Sequence, residues 1–430
     1  IGAGPCGLTA CKTLAEFGVE YECFEVGDTV GGIWNTEREQ AGGYRSLQTN
    51  TSIKGMAYSD FPFEKGSNTY QSAQEMVRYF KRYADHFQVT DRIRFQTRIT
   101  SAHPLDDGSW SIEFASGEIR EFSSVVVATG QYAQPRRPHL STPGRFDGEC
   151  LYVFDFLDAV TPIDLRDKRV VVVGLGTSAA ELAAELSNPN ARAGSAAQVI
   201  LSARSGRWVV PKIVDGQPLD ARSPHPSERL SEEVRALPGN VGETQVREAM
   251  AESIRDLSAK LGGAEALGLP EPTIEPWEDR PTMSIDFIPA LQESRIDVRA
   301  GIEKFDGSTI HFTDGSQTDA DAILYATGYQ LDFPFLSEKV LGCEAPDLSL
   351  YQRIVHPDHS RLFFVGCCRV MCALWPLAEQ QSRWVAKLLS GGFELPPPAK
   401  RRKDSIPLSR ALPIMCNFYV EELRDEAGGL

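Results

Sequence analysis

The feature that most restricts this chain is a pattern met twice: an apolar strand, a glycine-bearing turn, a helix and a second strand. The later copy is complete. Arg169-Val170-Val171-Val172-Val173 runs into Gly174-Leu175-Gly176-Thr177-Ser178-Ala179, a helix is expected to follow to about 186, and a strand spans 199–201. The earlier copy opens on Gly2-Ala3-Gly4-Pro5-Cys6-Gly7, continues as a helix to about 17, and reaches a strand ending at Glu25. The sequence begins at Ile1, not Met, and Gly2 already belongs to the turn, so a leading strand is expected before it and any targeting segment would be out of view. Strand, turn, helix, strand is the βαβ unit of a parallel sheet. The expected fold class is therefore α/β, with two Rossmann-like dinucleotide-binding domains.

A second repeated signal sets the layout. Val125-Val126-Val127-Ala128-Thr129-Gly130 and Ala322-Ile323-Leu324-Tyr325-Ala326-Thr327-Gly328 both read as short buried strands ending in Ala-Thr-Gly, and they frame the complete βαβ copy. The economical arrangement is a discontinuous first domain, 1–145 and 321–430, the second part including C-terminal helices, with the second domain, 146–320, inserted between.

In turns of this kind the first glycine permits the bend, the second lets backbone approach a pyrophosphate, and the third lets helix and strand pack closely. The helix N-terminus offers unpaired N–H groups and the positive end of a dipole to phosphates. The strand end beyond each turn separates the cofactors. Glu25 ends the strand after the first turn, where an acid accepts ribose hydroxyls. The equivalent strand end after the second turn reads Leu201-Ser202-Ala203-Arg204-Ser205, with no acid. The Arg204 guanidinium suits a 2′-phosphate, although a plain surface arginine is the bland alternative. The expected cofactors are FAD at the first turn and NADPH at the second.

The 430 residues exceed one hydrophobic core, and the net charge of −15 argues against a nucleic-acid partner, which needs clustered Lys and Arg. The basic run 400–403 after Pro396-Pro397-Pro398 is expected to be a solvated linker. No apolar stretch is long enough for a transmembrane segment. Nine cysteines without regular spacing suit a reducing compartment, and a cytoplasmic location is expected. Cys367, Cys368 and Cys372 are expected to be buried free thiols rather than metal ligands, and His356 and His359 to lie on a loop without a third ligand. Amphipathic helices are expected over 72–87, with Met76, Val77, Phe80, Tyr83, Ala84 and Phe87 on one face, over 243–261, and over about 377–389; 267–280 reads as loop.

Several longer motifs converge on one family. The first turn is followed by Glu25 and by Gly31-Gly32-Ile33-Trp34, then by Tyr44-Arg45-Ser46-Leu47-Gln48-Thr49-Asn50 and Tyr58-Ser59-Asp60-Phe61-Pro62. The inserted part carries Ser202-Ala203-Arg204-Ser205-Gly206-Arg207-Trp208, and the chain returns through Ala326-Thr327-Gly328-Tyr329 and the segment 376–384. Nearly the whole chain, least so 225–280, thus resembles the flavin-containing monooxygenases, the class B flavin enzymes that oxygenate soft nitrogen and sulfur. The resemblance implies an NADPH- and FAD-dependent monooxygenase that places one atom of O2 on an amine or sulfide through a C4a-hydroperoxyflavin. The partners would be a small-molecule substrate and O2, with a homodimer open. The resemblance implies Asn50 as the catalytic residue beside flavin and nicotinamide. The implied cofactor contacts are Gly2, Gly4, Gly7, Glu25, Gly32, Trp34, Thr129, Gly174, Gly176, Ala179, Ser202, Arg204, Thr327 and Gly328, with no metal ligand.

One departure stands out. The family's linker signature, Phe-x-Gly-x-x-x-His with an aromatic four residues on, reads here Phe146-Asp147-Gly148-Glu149-Cys150-Leu151-Tyr152, with Phe156 as the later aromatic. The resemblance associates that His with the NADP-side linker and with coupling reduction to oxygenation; Tyr hydrogen-bonds but carries no positive charge at neutral pH, so less efficient coupling is the expectation. A Baeyer–Villiger relative would have Trp at the Phe156 position. A disulfide reductase would need a reactive cysteine pair. A non-catalytic, NADPH-binding flavoprotein is the alternative outside that enzyme class.

Overall fold

The structure is a computed structural model that describes residues 1–37, 42–132, 134–408 and 412–430. Helix α1 (Pro5–Glu16) starts at Gly4, with Pro5 in its first turn, where a missing N–H costs nothing. Strand β1 is shorter than its sequence pattern, Cys23–Phe24. The backbone of Ile1 and Gly2 lies between two strands. The Gly2 N–H donates to the Phe24 carbonyl at 2.8 Å, and the Ile1 ammonium donates to the Val126 carbonyl at 2.7 Å. Helix α2 (Ala73–His86) begins with a reciprocal Ser72–Glu75 capping box, which fixes its start one residue after the expected 72. Its buried face is Ala73, Met76, Tyr79, Phe80, Tyr83 and Ala84, so Tyr79 joins the stripe read from periodicity. Strand β2 (Val125–Val127) follows.

The inserted unit is a five-stranded parallel sheet. Its strands are β3 (Glu149–Tyr152), β4 (Arg169–Val173), β5 (Gln198–Ser202), β6 (Ile296–Arg299) and β7 (Ala322–Tyr325), in spatial order β6-β5-β4-β7-β3. Val171 lies opposite Ile200 on one side and Ile323 on the other, and all three are fully buried. A strand buried on both faces needs the unbroken Val run that β4 has. Helix α3 (Thr177–Leu186) crosses over from β4 to β5. The pairing corrects one expectation. The Ala-Thr-Gly ending groups Ala322–Tyr325 with the returning first domain, from 321; instead this strand pairs with β4, so the inserted sheet extends to Tyr325. The helix expected over 243–261 is Val241–Lys260.

The chain then returns. Strand β8 (Leu362–Phe364) pairs parallel with β2, and helix α4 (Leu374–Leu389), three residues longer at its start than expected, packs on α1. Lys400, Arg402 and Lys403 of the basic run are exposed, as expected of a solvated segment, but the run is helical and not a linker throughout. It lies in the helix Pro398–Asp404, where Arg401 is buried and its Nε and Nη1 donate to the carbonyls of Pro357 and Pro396. Cys367 and Cys368 are buried thiols, but Cys372 is bonded to Cys416 in a disulfide, contrary to the expectation of a free thiol. His356 is buried, with Nε2 at 3.1 Å from the Leu341 carbonyl. No described helix is long and apolar enough to cross a membrane.

Candidate nucleotide sites and their junction

The first turn is shaped by backbone contacts that only glycine permits. Gly2 has φ +99°, and a Cβ there would lie 2.7 Å from the Ala128 carbonyl oxygen. A Cβ on Gly7 would lie 1.9 Å from the Gly2 carbonyl oxygen. Helix α1 has no side-chain cap and no acid in its first turn, so its leading N–H groups and dipole are not already satisfied by an internal anion. The Gly31-Gly32 backbone faces Gly4, whose added Cβ would be 3.6 Å from Gly32 Cα. Glu25 is buried and its two oxygens accept from the Ala3 and Gly27 N–H groups, each at 2.7 Å. A carboxylate only accepts hydrogen bonds, which is the chemistry that a ribose hydroxyl as donor requires. Trp34, two residues after Gly32, packs edge-to-face on Trp375. Thr129 is exposed just past the end of β2.

The second turn repeats this geometry. Gly174 has φ +129°, and its added Cβ would lie 2.6 Å from the Ala326 carbonyl oxygen. Gly176 caps α3 with no side-chain bond, α3 has no acid in its first turn, and a Cβ on Gly176 would meet nothing within 4 Å. That open approach is what a pyrophosphate needs. Ala179 is fully buried where the first turn has its third glycine. Arg204 is exposed past the end of β5, its stem against Gly301. Ser202 departs from expectation. It is 1% exposed and its hydroxyl donates to the Ala300 carbonyl at 2.8 Å, which ties the ends of β5 and β6 together instead of facing a ligand. The Thr327 hydroxyl likewise donates to the Arg136 carbonyl, and Gly328, at φ +82°, accepts from the Arg136 N–H. Those two residues pin the connection between the units, where Tyr329–Gln330 pairs with Gln134–Pro135.

Asn50 is exposed between two buried residues, Thr49 and Ser52, that are held on opposite sides. Thr49 exchanges bonds with Gln71 of the first unit, while the Ser52 N–H and hydroxyl donate to Asp220 of the inserted unit. Asn50 therefore sits at the junction of the two units. Sequence reading missed the groups beneath it. Lys212, 1% exposed, donates from Nζ to Glu181 Oε1 at 2.8 Å and to the Thr49 carbonyl at 3.2 Å. Tyr44 donates to the other oxygen of Glu181 at 2.6 Å. Burial, then the Glu181 charge, raises the Tyr44 phenol, which keeps it a donor. The signal was a lone lysine following Val209-Val210-Pro211. Gly366 was also missed; it has φ +76°, and its added Cβ would lie 2.4 Å from Cys6 Sγ in the first turn.

Comparison with known proteins decides what this arrangement belongs to. Residues 1–410 match the family described as flavin-binding monooxygenase-like. The chain is a flavin-containing monooxygenase family member. It is 30% identical over its whole length to Flavin-containing monooxygenase 5 of Homo sapiens, covering 79% of that protein. It is equally 30% identical to Flavin-containing monooxygenase 2 of Homo sapiens, covering 82%. Its fold is similar to S-allyl-L-cysteine S-oxygenase from Allium sativum (TM-score 0.68, 21% identity, 100% of this chain and 88% of that one). It is also similar to steroid monooxygenase bound to NADP (TM-score 0.71, 20% identity, 99% and 96%). Membership of this family makes the chain a flavin-dependent monooxygenase that uses FAD and NADPH.

Within the flavin-containing monooxygenase frame, Tyr152 looks different from the way it reads in sequence. Its ring is 5% exposed and stacks on Tyr325 at 5.5 Å between centroids, and the Arg137 guanidinium lies over it at 4.5 Å. Burial raises the Tyr152 phenol and the Arg137 charge opposes that rise. A positive charge is thus already present at this position, carried by Arg137 on the ring face. Tyr152→His would set an imidazole against that exposed guanidinium and lose a cation–π contact worth about 0.5–1 kcal/mol. The expected result is lower thermal stability and no gain in product formed per NADPH; a higher ratio would contradict it.

Proposed function

We propose that the first unit holds FAD on the turn Gly2–Gly7 with Glu25 on the ribose, and that the inserted unit, 146–325, holds NADPH on the turn Gly174–Ala179 with Arg204 on the 2′-phosphate. The enzyme places one oxygen atom of O2 on a soft nucleophile, an amine or a sulfide. When bound, the flavin accepts hydride from NADPH and activates O2. The residues supply geometry. Two uncapped helix N-termini bind pyrophosphates, and the exposed Asn50 amide, held at the junction by Thr49 and Ser52, donates and accepts there without adding charge.

The observation that carries this reading is the pair of glycine turns ending in chemically opposite groups, a buried acid at one and an exposed arginine at the other. Thiol exchange is a poorer fit. Cys6, the cysteine inside the first turn, is pushed up to about 12 by burial and then by Cys368, so it is protonated at neutral pH. Phe156, 1% exposed in the core, stands where a Baeyer–Villiger relative would carry Trp.

Asn50→Ala tests the junction. The substitution is small and exposed, so FAD content and melting temperature should be unchanged. Product per NADPH should fall, with the balance appearing as hydrogen peroxide, measured in the same reactions on N,N-dimethylaniline and a thioether. An unchanged ratio would remove Asn50 from the active site.

A further inference from the structure

Among the described residues, the most buried cation at the junction is Lys212, with its ammonium side chain 1% exposed. An ammonium withdrawn from water persists only if it is paired and hydrogen-bonded. Its partners belong to different parts of the molecule. Glu181 lies on α3, one turn after Thr177, the first residue of that helix. The Thr49 carbonyl is the acceptor on the other side, and it belongs to the peptide whose N–H is that of Asn50. Two tyrosines of the first unit close the arrangement: Tyr44 donates to Glu181, and Tyr70 donates to the Lys212 carbonyl at 2.5 Å with its ring 5.6 Å from the ammonium.

We infer that Lys212 is a positioning residue that links nucleotide binding to the orientation of Asn50. By donating at once to Glu181 and to the Thr49 carbonyl, it fixes the Thr49–Asn50 peptide plane against the helix that receives the second pyrophosphate. Asn50 itself is exposed and gains its direction from that peptide. A shift of α3 on binding NADP+ is then transmitted to Asn50 through two charge-assisted bonds, and a misplaced Asn50 is transmitted back to the nucleotide with the same coupling factor. This inference rests on the assignment of Asn50 to the active site made above.

The test uses the FAD-loaded, full chain. Lys212→Met removes both bonds but strands the Glu181 carboxylate; Lys212→Met with Glu181→Gln removes the pair and leaves no unpaired buried charge, so it carries the experiment if the single variant loses flavin. Two readouts are taken: the Kd for NADP+ by calorimetry, and product against peroxide per NADPH. The double variant is expected to keep its FAD, to bind NADP+ at least about fivefold more weakly, and to lower the product ratio. Lys212→Arg, which still donates to both acceptors, should restore part of each loss. In an Asn50→Ala background the same change should lower the product ratio no further, because both act through one side chain. Wild-type NADP+ affinity and product ratio in the double variant would overturn the inference while leaving the Asn50 assignment intact, and so would a loss additive with Asn50→Ala. An Asn50→Ala enzyme with an unchanged ratio would overturn the assignment and the inference with it.

Discussion

Alanine at position 7 is expected to yield a chain that cannot retain flavin. The added Cβ would sit 1.9 Å from the Gly2 carbonyl oxygen and 2.9 Å from its carbon. Both are backbone atoms, so no rotamer change relieves the clash. Gly2 cannot retreat, because its N–H is bonded to Phe24 and its Cα faces the Ala128 carbonyl. Helix α1 must therefore lift off the strands, which moves its N-terminal N–H groups from the pyrophosphate position. Overpacking of this kind costs about 1–3 kcal/mol or more, and it falls on the element that binds phosphate. The check is the ratio of flavin absorbance to protein absorbance after gel filtration. Full saturation of Gly7→Ala with FAD would refute the assignment of the first turn. The matched change in the second turn is already present in the native chain: Ala179 occupies the third position, so that turn tolerates a methyl where the first does not.

Arg204→Ala is expected to separate the two nicotinamide coenzymes. The side chain is exposed, its stem rests on Gly301, and its removal disturbs no buried group. A hydrogen bond to a charged partner contributes about 1.5–3 kcal/mol, so KM for NADPH should rise by roughly 10- to 150-fold. NADH has no 2′-phosphate and should be nearly unaffected, as should kcat at saturation, because the lost contact is remote from the nicotinamide. Steady-state kinetics with both coenzymes decides the matter. Equal weakening of NADPH and NADH would mean that Arg204 supports the fold of the strand end and does not read the phosphate.

The features legible in sequence were those that depend on local order. The glycine turns, the run Val170–Val173 into Gly174 and the stripe on 72–87 each express a short-range rule, and the structure carries them within a residue or two. Three features depended on distant partners. Ala322–Tyr325 resembles Val125–Val127 in composition, and only its register with Val170–Val173 assigns it to the other sheet. Cys372 gave no sign of Cys416, 44 residues away. Arg401 sits in a basic run that reads as solvated, yet it is buried and bonded to the Pro357 carbonyl, 44 residues away, as well as to the nearby Pro396 carbonyl. The site divides in the same way. Gly2, Gly7, Gly174, Glu25 and Arg204 follow from turn chemistry, whereas Ser202 matched a motif but is turned inward by the Ala300 carbonyl. Lys212 and Glu181 belong to no motif, and they form a unit with Tyr44, the first residue of the Tyr44–Asn50 block, only when the two halves meet.

The central claim is that reducing equivalents from NADPH place one atom of molecular oxygen on a soft nucleophile. The direct measurement is turnover of the FAD-loaded protein with NADPH, ¹⁸O2 and a thioether or N,N-dimethylaniline, followed by mass spectrometry of the product and determination of NADPH consumed. The account predicts a sulfoxide or N-oxide carrying one ¹⁸O atom, formed with NADPH consumption. NADPH consumed with only hydrogen peroxide formed, or a product whose oxygen is unlabelled, would contradict it.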